Sequence, residues 1–312
     1  MSVAGWTEVA PATSFMGAFE AAGSKIIIVE SEIGAGKSTL LPALAEGLER
    51  RGWRPVLVYE PVDEWSGILE KFYADPARWA YAFQTFVYST RIAAIRRAVA
   101  AARAAPSLSL APLVFVLERS PITDEIFMEL QRGAVADVEM EMYEVWRRTF
   151  APLLPIDLAK AAVLYLKPDL DTCMRRIAQR SRVGEVAKSK DVKGDVAKGD
   201  VAKGDDSKGD VAKGDVAKGD DSKGKDAKSD DSVESSGISF EYQARLRRAH
   251  EALLQGLHAD EFPRLANRPP PYPRSAVAVL AANIAGLNFR DAGAEREAVV
   301  DHALRLLGFI KK

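Results

Sequence analysis

The 312-residue chain holds a single cysteine, Cys173. One thiol permits no intramolecular disulfide and no multi-cysteine metal site, and it points to a reducing compartment. No apolar run approaches the roughly 20 residues that a membrane-spanning helix needs. The first 24 residues carry Glu8 and Glu20 but no Lys or Arg, which is not the pattern of a signal or transit peptide. An excess of one charge is missing too: 43 Lys and Arg face 44 Asp and Glu, for a net charge of −1. With so little field of either sign, neither nucleic acid nor an anionic membrane is an expected partner. These absences leave a soluble, cytoplasmic protein, long enough to bury a sizeable core in one large domain or two small ones.

The near-zero sum hides two unlike parts. The 44 residues from Lys188 to Asp231 hold eleven Lys and twelve Asp, with no aromatic residue, Leu or Ile. From Lys193 the unit Lys-Gly-Asp-Val-Ala recurs every five residues, replaced by Lys-Gly-Asp-Asp-Ser at Lys203 and Lys218. A period of five fits neither a helix nor a strand, so no continuous apolar face can form. Such a composition cannot bury enough surface to offset chain entropy, and disorder is expected. The tract reads as a solvated loop expanded by repeat slippage, or as a selected interaction segment. Removing it is expected to leave the fold largely intact, because closing a longer loop costs little. Outside the tract 25 Arg stand against seven Lys. Guanidinium forks suit phosphate and carboxylate recognition, although GC-rich coding produces the same bias.

The rest of the chain alternates strand-like and helix-like segments. Lys25–Glu30, Pro55–Tyr59, Pro112–Leu117, Ala162–Leu166 and Ala276–Leu280 are short apolar runs. Helical patterns separate them over 36–51, 77–104, 124–131, 137–150, 169–181, 240–257 and 294–307. This alternation predicts an α/β fold, a central parallel sheet of about five strands with helices on both faces. The stretch 264–274, with four prolines, reads as a surface connection. In parallel sheets ligands bind beyond the carboxyl ends of the strands. The acidic residues Glu30, Glu60 and Glu118 close the first three runs and are marked for that reason.

Directly after the first run comes Ser31-Glu32-Ile33-Gly34-Ala35-Gly36-Lys37-Ser38-Thr39. This is the P-loop pattern GxxxxGK[ST] with Ser31 in place of the first glycine, in the required strand–loop–helix context. Gly34 and Gly36 let backbone N–H groups face phosphate oxygens at a helix N-terminus. Lys37 would neutralise the β- and γ-phosphates, and Ser38 would offer its hydroxyl to Mg²⁺. Ser31 is expected to take the first glycine's backbone conformation at some cost in nucleotide affinity. At the end of the second run, Glu60 could accept a proton from an attacking hydroxyl; a surface turn at Pro61 is the plain alternative. Glu118 suits a magnesium or water-ordering place, and Arg119 could stabilise phosphoryl charge. An interstrand ion pair fits these two equally well.

Taken together, the segments Glu32–Thr39, Glu60–Trp65, Phe72–Arg91, Glu118–Asp124, Tyr165–Arg182 and Gly237–Leu254 resemble the deoxyribonucleoside kinase family, in the family's order. The resemblance implies a P-loop kinase fold with an arginine-bearing lid. It also implies transfer of the γ-phosphoryl of ATP to a deoxynucleoside 5′-hydroxyl, with Mg²⁺ as cofactor and a homodimer formed through helices near 80–104 and 139–150. Under this resemblance Glu60 is the general base with Arg119 beside it, and Ser38 and Glu118 serve Mg²⁺. Gly34, Ala35, Gly36, Lys37, Ser38 and Thr39 cradle the phosphates. Trp65, Phe83 and Gln84 form the base pocket, and Tyr73 with a lid glutamate holds the 3′-hydroxyl. That glutamate aligns with Glu185 by distance from Arg182, and with Glu234 by distance from Gly237. Arg91 and Asp124 match the pair of branches that use deoxycytidine or purine deoxynucleosides rather than thymidine. The aromatic residue expected four positions after Asp124 is Met128 here, with Phe127 beside it.

Arg176, Arg180 and Arg182 fall where the family's lid arginines clamp the donor phosphates; without the resemblance they read as a solvated basic face. The repeat tract enters directly behind them. The organisation expected is an N-terminal extension over 1–24, a catalytic domain over 25–187 and 232–310, and the tract 188–231 inserted in the lid. Asn288–Asp291 resembles the family's adenine loop more weakly. Two rivals stay open: a nucleoside monophosphate kinase on the same fold, separable by its acceptor, and a regulatory protein that binds ATP without turnover.

Overall fold

Lys25–Glu30 is apolar at four successive positions, and such a run is at home in a strand buried on both faces. In the computed structural model, which describes residues 24–105, 111–180, 238–268, 274–281 and 293–310, it is the centre of the sheet. The repeat tract, Arg182, Glu185, Glu234 and Asn288–Asp291 lie outside the described residues.

The strands are β1 (Lys25–Glu30), β2 (Arg54–Val58), β3 (Leu113–Glu118), β4 (Ala162–Lys167) and β5 (Val277–Ala281). They pair in the order β2-β3-β1-β4-β5, all parallel. The expected five-stranded parallel sheet is therefore what forms. The helices are α1 (Lys37–Glu49), α2 (Ser66–Ala74), α3 (Pro76–Ala104), α4 (Asp124–Glu129) and α5 (Asp137–Phe150). After β4 come α6 over residues 170–180, α7 (Phe240–Gln255), α8 (Pro263–Asn267) and α9 (Ala294–Leu306).

Alternation along the three central strands divides the core. Ile26, Ile28, Phe115, Leu117, Val163 and Tyr165 face α3 and α7. Ile27, Val29, Val114, Val116, Leu164 and Leu166 face α1 and α9. A third cluster, built on Trp65, Phe72, Phe83 and Tyr143, joins α2, α3 and α5 beside the sheet. Three helix starts carry side-chain caps: Asp75 accepts the Arg78 N–H ahead of α3, Asp169 that of Thr172 ahead of α6, and Ser239 that of Tyr242 ahead of α7.

Two short helices depart from the sequence reading. α2 has no counterpart in it, because Gly67 in its first turn and Asp75-Pro76 at its end read as loop signals. The supposed surface connection begins with α8, whose Leu265 and Ala266 are buried against the α3–α7 side of the core. Among the described residues no helix is long and apolar enough to cross a membrane.

Candidate functional site

β1 lies between β3 and β4; the connection after it runs to the β3 side and the connection after β3 runs back across it to β4, so a crevice opens at its carboxyl end. The loop after it turns at Gly34 (φ 80°) and Gly36 (φ 99°), both in the left-handed region that favours glycine. At Gly34 a Cβ would also stand 2.6 Å from the Cys173 carbonyl oxygen of α6. Ser31 corrects an expectation. Among the described residues the only non-glycine positive φ values belong to Arg119 and His258, so Ser31 does not take a glycine conformation and carries no such strain. Its buried hydroxyl donates to Glu32 Oε2 at 3.1 Å.

Lys37, at the start of α1, is buried beneath the loop. Its Nζ donates to the Glu32 carbonyl at 3.0 Å and the Ser31 carbonyl at 3.4 Å. Burial, reinforced by Arg119, draws its ammonium down to about 8 against the opposing pull of Glu60, Glu118 and Glu30. Ser38 Oγ donates to Glu118 Oε1 at 2.6 Å, bringing a hydroxyl and a carboxylate together beside Lys37. These all-oxygen donors suit a hard divalent cation that keeps positions for phosphate and water. Among the described residues no group of three or more His, Cys, Asp or Glu could hold a metal ion.

Beyond β2 and β3 lies a buried set of two arginines and two carboxylates. Glu60 accepts from Arg91 Nη2 at 3.0 Å and from Arg119 Nη1 at 2.8 Å. Arg91 Nε faces both Asp124 oxygens, at 3.1 and 3.0 Å. Burial alone would raise the Glu60 carboxyl, but Arg119, Arg91 and Lys37 outweigh it and hold it near 2. Arg119 sits at φ 59°, a left-handed conformation that its Cβ makes costly. Its N–H bond to the Val29 carbonyl and its Nη2 bond to the Ser31 carbonyl hold it there. The two readings of Glu118 and Arg119 thus separate: Arg119 does pair across neighbouring strand ends, with Glu60, whereas Glu118 turns to Ser38.

A cavity of about 360 Å³ joins these parts. Gly34, Gly36, Lys37, Ser38 and Glu118 line its phosphate-loop end, and Glu60, Arg91, Arg119 and Asp124, with Trp65, Tyr73, Phe83 and Gln84, line the other. Phe72 stacks on Phe83 at 4.8 Å, Trp65 meets Phe83 edge-on at 6.3 Å, and Trp65 Nε1 donates to Thr90 Oγ1 at 2.8 Å. Arg180 reaches the cavity from the end of α6, whereas Arg176 Nη1 donates to the Ala35 carbonyl at 3.0 Å. Ala35, Thr39 and Arg176 do not line the cavity. Tyr59 and Tyr242 line it without having been singled out from the sequence, and so does Phe127, noted there only as the neighbour of Met128. Phe127 lies under the Arg119 guanidinium at 5.0 Å, while Met128 is buried in the third cluster, so the aromatic wall comes one residue early. A larger cavity of about 1050 Å³ lies between α4, α5 and α8, away from the loop, and none of the expected residues line it.

A sequence model of the family described as deoxynucleoside kinase matches residues 27–191. The chain is 32% identical over 163 residues to a probable deoxycytidine kinase of fowlpox virus, covering 51% of this chain and 62% of that one. It is 30% identical over 172 residues to the deoxyadenosine/deoxycytidine kinase of Bacillus subtilis, covering 54% and 70%. It is 29% identical over 178 residues to the thymidine kinase of ictalurid herpesvirus 1, covering 53% and 68%. The match thus spans less than two thirds of the fowlpox virus protein.

Proposed function

Because the chain belongs to the deoxynucleoside kinase family, we propose that it transfers the γ-phosphoryl group of ATP to the 5′-hydroxyl of a deoxynucleoside. The observation that carries this reading is the Glu60 carboxylate, fixed between Arg91 and Arg119 where the phosphate loop meets the aromatic cavity.

In this reading the 5′-oxygen forms the new bond to the γ-phosphorus, the bond to the β–γ bridging oxygen breaks, and ADP leaves. The hydroxyl proton passes to Glu60. Held near 2, Glu60 is ionised throughout the neutral range and is a weak base. That suits a loose phosphoryl-transfer transition state, in which orientation of the hydroxyl matters more than early deprotonation. Arg119 compensates charge on the transferring group, while Lys37 and the loop N–H groups receive the donor phosphates. Ser38 and Glu118 would hold Mg²⁺, which when bound neutralises β- and γ-phosphate charge. Arg180 and Arg176, with Arg182 beyond the described residues, would close over the donor, and Arg176 would exchange the Ala35 carbonyl for phosphate oxygens.

Trp65, Phe83 and Gln84 would bind the base, and Tyr73 with Glu185 the 3′-hydroxyl. The Arg91–Asp124 fork presents fixed donors and acceptors to exocyclic base groups, favouring a purine deoxynucleoside or deoxycytidine over thymidine. A homodimer through α3 and α5 is supported by Phe86 on α3 and by Val138, Met142 and Val145, a helical stripe of exposed apolar residues on α5. The single, buried Cys173 supports a cytoplasmic location. We read 188–231 as an insertion in the lid of a catalytic domain spanning 25–187 and 232–310.

The test supplies Mg-ATP with each of the four deoxynucleosides and, separately, with dTMP, native protein beside Glu60→Ala. Monophosphate formation that depends on Glu60 is expected. Well-folded native protein that phosphorylates none of the four sinks the proposal, and turnover of dTMP alone replaces it with a monophosphate kinase.

A further inference from the structure

Helix α7 presents Gln243, Arg247 and His250, at helical spacing i, i+4 and i+7, to the underside of the phosphate loop. Gln243 is fully buried and grips one residue twice: its Nε2 donates to the Ile33 carbonyl at 2.7 Å, and its Oε1 accepts the Ile33 N–H at 3.3 Å. Arg247 Nε donates to Glu32 Oε1 at 2.7 Å, and its Nη2 reaches the Pro168 carbonyl just beyond β4. The Tyr165 hydroxyl donates to the same Glu32 oxygen at 2.9 Å, and Ser31 Oγ donates to the other. His250 lies under Glu30, ring-stacked on Tyr165.

Glu32 is the anomaly in this arrangement. It is a fully buried carboxylate inside a loop whose task, in the kinase reading, is to receive a polyanion. A buried unpaired charge is costly, and in a low dielectric its repulsion reaches several ångströms. Burial pushes the Glu32 carboxyl up; the bond from Arg247 leads the contributions that more than reverse this, so Glu32 is ionised at neutral pH. Among the described residues Arg247 is the cation bonded to it.

We propose that Arg247 is a positioning residue of the donor site, neutralising Glu32 and bracing the phosphate loop from beneath so that the loop accepts a triphosphate. Arg247 does not line the cavity, so it acts through Glu32 and the loop backbone rather than by touching the donor. The inference rests on the kinase reading only in taking ATP as the ligand.

Mg-ATP binding is measured calorimetrically on native protein, Arg247→Met, Glu32→Gln and the double variant, with deoxynucleoside KM as the second readout. The Arg247→Met variant is expected to bind Mg-ATP about tenfold or more weakly, as an uncompensated nearby charge requires, with deoxynucleoside KM within about twofold of native. Adding Glu32→Gln to Arg247→Met is expected to restore ATP affinity to within about threefold, because the charge that Arg247 compensates is gone. A folded Arg247→Met that binds ATP like native overturns the proposal, and so does a double variant as weak as Arg247→Met alone. If Arg247→Met fails to fold, the double variant decides: near-native ATP affinity supports the brace, and lost affinity overturns it. Native protein that binds no triphosphate overturns the kinase reading and the brace together.

Discussion

At one end of the cavity nine consecutive residues, Ser31–Thr39, bring a turning backbone, an ammonium and a hydroxyl to one place. At the other end Glu60, Arg91, Arg119 and Asp124 arrive from β2, α3, β3 and α4, and balance as two cations against two anions. The first end depends on conformation, since Gly34 and Gly36 hold φ values that other residues resist. The second depends on charge compensation, since burial leaves each member of the set reliant on the others. Substitutions at the two ends should therefore fail in different ways.

The sharpest break is expected at Glu60. Glu60→Gln keeps the shape but removes the proton acceptor and leaves one cation of the set in excess. Turnover should fall by about a thousandfold, within the range for loss of a general base, while Mg-ATP affinity measured by calorimetry stays within about threefold. If ATP affinity falls as far as kcat does, the two ends are one electrostatic unit and the contrast is wrong.

Asp124→Asn tests the same set through stability. Arg91 retains Glu60, so the loss should sit near the lower end for breaking a buried pair, about 3 kcal/mol. In thermal melts at pH 7 the Tm should fall by about 5 °C or more in a chain of this size. In steady-state assays the ratio of kcat/KM for deoxycytidine or purine deoxynucleosides to that for thymidine should also fall. An unchanged ratio removes the Arg91–Asp124 fork from base selection.

The same contrast explains what was legible in the sequence. The phosphate loop could be read because its chemistry is contiguous and its glycines are forced by geometry. The strands could be read because an all-parallel sheet buries both faces and leaves uninterrupted apolar runs. Glu60 and Glu118 were visible as acids at strand ends, and their pairing with Arg119 and Ser38 came only from the resemblance. Nothing local says that Arg119 turns into the left-handed region toward Glu60 while its neighbour Glu118 turns to Ser38. Tyr242 was passed over because it lies in a helical pattern where an aromatic residue reads as core, and Phe127 was noted only as the neighbour of Met128. The brace from α7 was invisible because Gln243 and Arg247 stand 210 and 215 residues from their partners. The opposite error, strain at Ser31, came from carrying a glycine's conformation to a residue that the loop does not require to adopt it.

Gly34→Ala probes the conformational end. The new Cβ meets a left-handed φ and the Cys173 carbonyl at 2.6 Å, a backbone atom that cannot swing aside. Relief requires the loop to shift, and strain of about 1–3 kcal/mol corresponds to Mg-ATP binding weaker by about fivefold to a hundredfold. Deoxynucleoside KM should change little. A variant that loses deoxynucleoside binding instead would show that the loop shapes the acceptor end as well.

The smallest effect concerns a proton at Lys37, where the two ends meet. Burial, with help from Arg119, lowers this ammonium to about 8, below its ordinary 10.5. At pH 8 the free protein is therefore about half protonated there, whereas a triphosphate in the loop favours the charged form. ATP binding should accordingly take up about half a proton at pH 8, and very little below pH 7. Uptake is read from calorimetric enthalpies in buffers of different ionisation enthalpy. Without ligand the sign for stability is opposite. Between pH 8 and 10.5 the unfolded chain keeps a proton that the folded chain has lost, so Lys37 contributes a rise in stability with pH across that window. Lys37→Met should abolish both the uptake and this contribution. Uptake that persists in Lys37→Met would assign the proton to another buried group, of which Glu30, raised to about 7, is the nearest in pKa. The charge-compensated end would then extend beneath the loop, and the boundary between the two ends would move to β1.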